Sequence, residues 1–154
     1  HWRGELANRA FELVSETFDV STVQRDSLGS DAAATLSAWR DIDERNRARF
    51  EGERADLLRR GAKLVVSDVP SFPLTVARDA GIPSVCIVNF TWADIYHDLS
   101  AQEPEFARVA AQLRTEYAAA TLALDAGLSL PMLYFPRKET VGIVARVGVC
   151  RDRE

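Results

Sequence analysis

Cysteine and histidine are scarce in this sequence: there are two of each in 154 residues, and one methionine. Cys86 and Cys150 lie far apart, and no Cys-x-x-Cys pair or other ligand spacing frames them. That argues against a structural zinc site. Cys86 stands inside an apolar run, where a thiol acts as a small hydrophobe. No apolar run reaches the roughly eighteen residues of a membrane span. No secretory leader opens the sequence. A cytoplasmic, reducing location is the expectation. An excess of basic charge is missing too, with 19 Lys and Arg against 23 Asp and Glu, a formal net charge of -4. A nucleic-acid surface needs clustered cations to neutralise phosphates, so the balance argues against that partner class. The most basic stretch, 45–60, is interleaved with Glu51, Glu53 and Asp56 and reads as a solvated helix face. There is no Gly-x-Gly-x-x-Gly, no phosphate-binding loop of the Walker type and no nucleophile elbow. No cofactor and no metal is expected.

What is present suits one globular α/β domain, with 47% hydrophobic and 27% charged residues. The sequence starts at His1 and ends in Arg151-Asp152-Arg153-Glu154, and both ends read as cut from a longer polypeptide. Trp2 to Val14 suggests a short helix and then a strand, and Phe18-Asp19-Val20 a strand end. Residues 21–30 read as a loop. Ser30 or Asp31 offers an N-cap oxygen, and 31–60, rich in Ala, Glu, Arg and Leu without proline, reads as one long helix. Gly52 could bend it, and Gly61 after two arginines stops it.

Leu64-Val65-Val66 and Ser84 to Val88 are continuous apolar strands of the kind buried on both faces of a parallel sheet. A short helix at 74–80 joins them. Thr91 caps a helix through Leu99, Glu105 to Ala120 forms another, and Leu122-Ala123-Leu124 makes a third strand. The proline-broken pieces Leu130-Pro131-Met132 and Tyr134-Phe135-Pro136 read as irregular, and Val141 to Val147 as a last strand.

Ligands of an open parallel sheet bind beyond the carboxyl ends of its strands. The two exits are Ser67-Asp68-Val69-Pro70 and Asn89-Phe90-Thr91-Trp92. Asp68 can accept a hydroxyl proton or cap the next helix. Asn89 and Thr91 can bind a ligand or serve as turn and cap residues. Trp92 and Tyr96, one helical turn apart, present a single aromatic face that suits either a sugar ring or the core. His97 and Asp98, adjacent on a helix, do not face each other, and His97 reads as a surface residue.

These exits carry a resemblance. The strings Leu64-Val65-Val66-Ser67-Asp68-Val69-Pro70, Ala80-Gly81-Ile82-Pro83-Ser84-Val85 and Asn89-Phe90-Thr91-Trp92-Ala93-Asp94-Ile95-Tyr96 resemble the N-terminal half of GT-B glycosyltransferase-like proteins. That group is also found ahead of the sugar kinase in plant arabinokinases. Val23 to Leu28, Leu130-Pro131-Met132, Phe135-Pro136 and Val144-Ala145-Arg146 extend the likeness over nearly the whole chain. The resemblance implies an incomplete Rossmann-like, three-layer domain with a mostly parallel sheet and one long helix. It would occupy 1–147 as the acceptor-side half, with 148–154 a linker toward a missing C-terminal nucleotide-sugar domain. It implies a cleft lined by Arg25, Asp26, Asp68, Asn89, Thr91 and Trp92, with Tyr96 beside Trp92 and Asp68 the candidate catalytic carboxylate. The family's glycine- and histidine-rich first loop is absent, so the piece is expected to be inactive alone. Without the family's opening strand, the open sheet edge is expected to promote self-association or to rearrange the first twenty residues. Two other readings stay open: a non-catalytic, sugar-sensing domain of a sugar-kinase fusion, and a structural α/β domain.

Overall fold

A computed structural model describes residues 10–26 and 29–142. The chain begins irregularly and enters α1 (Ala32–Arg59), a single helix that runs through Gly52 without interruption. Asp31 is its cap, with Oδ1 accepting from Ala34 N at 2.9 Å. There follow β1 (Val65–Asp68), α2 (Phe72–Asp79), β2 (Ser84–Val88), α3 (Trp92–Leu99), α4 (Phe106–Tyr117), β3 (Leu122–Asp125) and β4 (Lys138–Thr140). The four strands lie in chain order and every pairing is parallel. This is the Rossmann-like α/β architecture expected from the continuous apolar strands.

Register decides what each strand buries. Ser67, Cys86 and Ala123 are cross-strand neighbours, and each is buried. Their helical cover is set by spacing. On α4, Phe106, Val109, Ala110, Leu113 and Tyr117 recur every three or four residues and are buried together. Tyr96 of α3 meets Phe106 with ring centroids 4.9 Å apart. α1 is held to α2 by Arg54 and Asp79 at 2.7 Å, and to α4 by Gln112 donating to Asp43 at 2.9 Å. On the other face of the sheet, Val66, Val85 and Leu122 line up in register and are less covered, Val66 being 57% exposed.

Three sequence expectations need correction. Phe18-Asp19-Val20 is not a strand end. Its polar groups go to side chains instead: Asn46 Nδ2 donates to Phe18 O at 2.7 Å, Trp92 Nε1 to Asp19 Oδ2 at 2.6 Å, and Tyr96 OH to Val20 O at 2.7 Å. The last described strand starts earlier than Val141. β4 is Lys138-Glu139-Thr140, polar and exposed because it lies at the sheet's edge. Its pairing ends where Val141 N donates to Asp125 O at 2.9 Å, and Gly142 turns away with φ at +76°. Residues 143–147 of the expected strand lie outside the described residues, as do residues 2–9 of the expected first helix. Of the expected helix and strand over 2–14, residues 10–14 are irregular.

Candidate functional site

Because all four strands run the same way, their carboxyl ends share one edge of the sheet. Asp68 ends β1 and pairs in register with Ile87, so Asn89 emerges two residues further along the adjacent strand. Both are exposed. Among the described residues Asp68 has no side-chain hydrogen bond or ion pair, and the cap position of α2 belongs to Ser71. Its carboxylate is left free toward solvent at the strand exit.

The next residue is strained. Val69 has φ at +77°, a region that β-branched residues avoid, and its N–H still reaches Ile87 O at 3.2 Å. Ser67 Oγ donates to Pro70 O at 2.7 Å and fixes the turn from inside. Below it lies Cys86, whose thiol is pushed up to about 12 by burial, an inert core group.

The loop after β3 folds across the exit of β2. Ala126 N donates to Val88 O at 2.9 Å and Leu130 N to Asn89 O at 3.0 Å. Asp125 organises the loop's start, accepting from Gly127 N at 2.8 Å and Ser129 Oγ at 2.6 Å, with Lys138 Nζ at 3.5 Å. The Ser129 and Gly127 hydrogen bonds, aided by Lys138, hold its carboxyl below the ordinary range. Leu128 and Met132 in this loop also have positive φ, +53° and +44°.

Thr91 starts α3, fully buried and with extended backbone, but its hydroxyl does not cap the helix. It donates to Asp94 Oδ2 at 3.0 Å, and Tyr134 OH donates to the same oxygen at 2.7 Å. Thr91 and Tyr134 hydroxyls also touch each other. Burial raises the Tyr134 phenol, so it acts as a donor at neutral pH. Arg114 faces the crevice formed by Asp94, Pro131, Met132, Leu133 and Tyr134.

The aromatic pair is packed rather than presented. Trp92 and Tyr96 rings are 5.9 Å apart, and Tyr96 is 1% exposed with its hydroxyl on Val20 O. Burial raises its phenol. Asp19 and Val20 take the polar tips of the two rings, with Tyr96 buried and Trp92 half-buried. Arg25 and Asp26 sit in a separate loop before α1. There Arg25 N donates to Gly29 O at 2.9 Å, Gly29 N to Asp26 Oδ1 at 2.8 Å, and the two side chains pair at 3.6 Å. His97 is exposed.

The structure thus brings Asp68, Asn89, Thr91, Trp92 and Tyr96 to the strand exits and the helix that follows, and keeps Arg25 and Asp26 in the α1 entry loop. Sequence reading missed Asp94, Arg114, Asp125 and Tyr134. Asp94 was readable in principle, three residues after a cap threonine at the start of a helix. Tyr134 was not, since only the folded loop carries it to α3. Among the described residues no group of three or more His, Cys, Asp or Glu could hold a metal ion, and no helix is long and apolar enough to cross a membrane.

No protein-family model matches the chain, and no solved structure matches it. Over 93 residues, 60% of its length, the chain is 33% identical to L-arabinokinase of Arabidopsis thaliana, a stretch that makes up 9% of that protein. It spans only a small part of that relative's length. The chain carries a region similar to part of a plant L-arabinokinase.

Proposed function

We propose that this chain is the acceptor-side α/β domain of a glycosyltransferase-like protein, binds a sugar at the carboxyl edge of its sheet, and does not catalyse transfer alone. The observation that carries the reading is the pair of exposed polar residues, Asp68 and Asn89, on adjacent parallel strands at one edge, with a strained Val69 beside them. Strain of about 1–3 kcal/mol at a non-glycine position is kept where the surroundings or a function require it. Asp68 accepts a sugar hydroxyl and, in a complete enzyme of two such domains, draws its proton toward the carboxylate as attack proceeds. Asn89 donates and accepts beside it. The donor nucleotide sugar belongs to a second domain in this reading. Among the described residues β1 forms one edge of the sheet, with Leu64 and Val66 51% and 57% exposed, and in this reading that edge belongs against a further strand or a second copy of the chain.

Likeness to part of a protein named for acting on a sugar favours a second reading, a sugar-sensing domain without catalysis. Both readings require sugar binding. Saturation-transfer NMR of the chain with L-arabinose and D-galactose tests them together. A response is expected from the wild type and a loss of most of it in Asp68→Asn and Asn89→Ala. Equal response in wild type and both variants would remove the strand exits from the site. No response at millimolar sugar would leave the structural reading.

A further inference from the structure

A second site, independent of the sugar reading, lies where the last turn of α4 meets the loop before β4. A crevice of about 470 Å³ opens there between Asp94, Arg114, Pro131, Leu133 and Tyr134, a size that small ligands fill. Asp94 stands in the first turn of α3 and Arg114 in the last turn of α4. The loop wall is fixed by side chains on either side of Leu133, with Lys138 Nζ donating to Pro131 O at 2.8 Å and Tyr134 OH to Asp94 Oδ2 at 2.7 Å. Leu133, between these ties, is 89% exposed.

Three Lys or Arg side chains among the described residues are half-buried: Arg49, Arg54 and Arg114. Arg49 pairs with Glu16 at 2.9 Å and Arg54 with Asp79 at 2.7 Å. Among the described residues Arg114 has neither a hydrogen bond nor an ion pair, and it does not pair with Asp94 across the crevice. Asp94 is only half used. Thr91 Oγ1 and Tyr134 OH both donate to its Oδ2, and Oδ1 receives no donor. Neither group is sealed in: the buried side-chain atoms without a partner are on Asn46 and Arg54, so the Arg114 guanidinium and Asp94 Oδ1 are open to solvent. A guanidinium partly stripped of water, with five donors and no acceptor, favours a carboxylate beside it. The Asp94 carboxylate on the same wall opposes a simple anion and favours a cation. A ligand that satisfies both groups carries both charges, held apart on one small body.

We propose that this crevice binds a small zwitterion, an amino acid with an apolar side chain. Its carboxylate accepts from the Arg114 guanidinium, its ammonium donates to Asp94 Oδ1, and its side chain lies on Pro131 and Leu133. The charge-assisted bonds supply orientation, and the wall, already tied in place, loses little freedom on binding.

Titrating the ¹⁵N-labelled chain with L-leucine at neutral pH tests this, beside its two halves, 4-methylpentanoate with the carboxylate alone and 3-methylbutylammonium with the ammonium alone, and beside sodium chloride of equal ionic strength. The expected result is a saturable shift of the amides of residues 94, 114 and 132–134 with leucine, at least about tenfold weaker with either half and absent with salt. Arg114→Gln, at a side chain that bonds to nothing in the fold, should keep the unfolding midpoint and weaken leucine binding about tenfold or more, as loss of a bond to a charged group does. Arg114→Lys, which keeps the charge without the planar fork, should lose less. No saturable shift, a response to either half as strong as to leucine, or unchanged affinity in Arg114→Gln would overturn the site.

Discussion

The two ends of the sheet turn the chain by different means. At the amino end, where helices lead into β1 and β2, positive φ falls on glycine: Gly61 at +63° and Gly81 at +69°. Both are ordinary helix stops. Gly61 N donates to Leu58 O and Ala62 N to Leu57 O, with the same pattern at Gly81 and Ile82. At the carboxyl end Gly127 is joined by Val69, Leu128 and Met132, all with positive φ. Among the described residues the amino end places positive φ only on glycine. The carboxyl end holds strained residues next to a free carboxylate and a partly buried Thr91–Asp94–Tyr134 network. One end turns on glycines, and the other turns largely on non-glycine residues held at positive φ.

Substitutions can break that contrast. Gly81→Ala should have the largest effect on stability, a loss of about 1–2 kcal/mol read from denaturant unfolding. A methyl there meets no atom within 4 Å, so the cost is purely conformational. Sugar response should not change. Tyr134→Phe removes one donor from Asp94 and should cost about 1 kcal/mol, with a smaller sugar response because the loop over Asn89 loosens. Val69→Gly should go the other way, leaving stability equal to wild type or up to about 1 kcal/mol higher as strain is relieved against the entropy of glycine. If Val69→Gly is strongly destabilising, the contrast between the ends is wrong.

The smallest effect concerns pH. Asp125 has an ordinary carboxyl value of 3.8, and its folded-state value is lower. Its contribution is therefore complete above the unfolded value and is lost as pH falls through the folded one. Asp125→Asn should flatten the acid limb of stability measured between about pH 5 and pH 2 and leave the neutral limb parallel to wild type.

The sheet was legible because Leu64 to Val66 and Ser84 to Val88 read as short apolar, β-rich runs between turn signals. The expectation that they are buried on both faces failed: β1 buries only Ser67, and β2 alternates buried and half-buried residues. The helices were legible from caps and spacing, Asp31 and the Phe106 to Tyr117 face above all. β4 was not. An edge strand needs no apolar residue, so Lys138-Glu139-Thr140 carried no pattern, and the apolar residues after it drew the expectation forward. Phe18 to Val20 failed for a related reason, because alternation resembles a strand even when side chains of α1 and α3 take the carbonyl and carboxylate oxygens. At the candidate site, Asp68 and Asn89 followed from strand order alone. Trp92 and Tyr96 were ambiguous between platform and core, and the fold buries Tyr96 while leaving Trp92 half-buried. Asp94 with Tyr134 depended on a contact across 40 residues, which no local pattern encodes.

Amide shift mapping of the ¹⁵N-labelled chain with L-arabinose tests most directly whether the carboxyl edge is where a ligand sits. Saturable shifts are expected at residues 67–70 and 89–92, absent in Asp68→Asn, with the turns at Gly61 and Gly81 silent. Shifts confined to those glycine turns, or a pattern that Asp68→Asn leaves intact, would contradict the assignment.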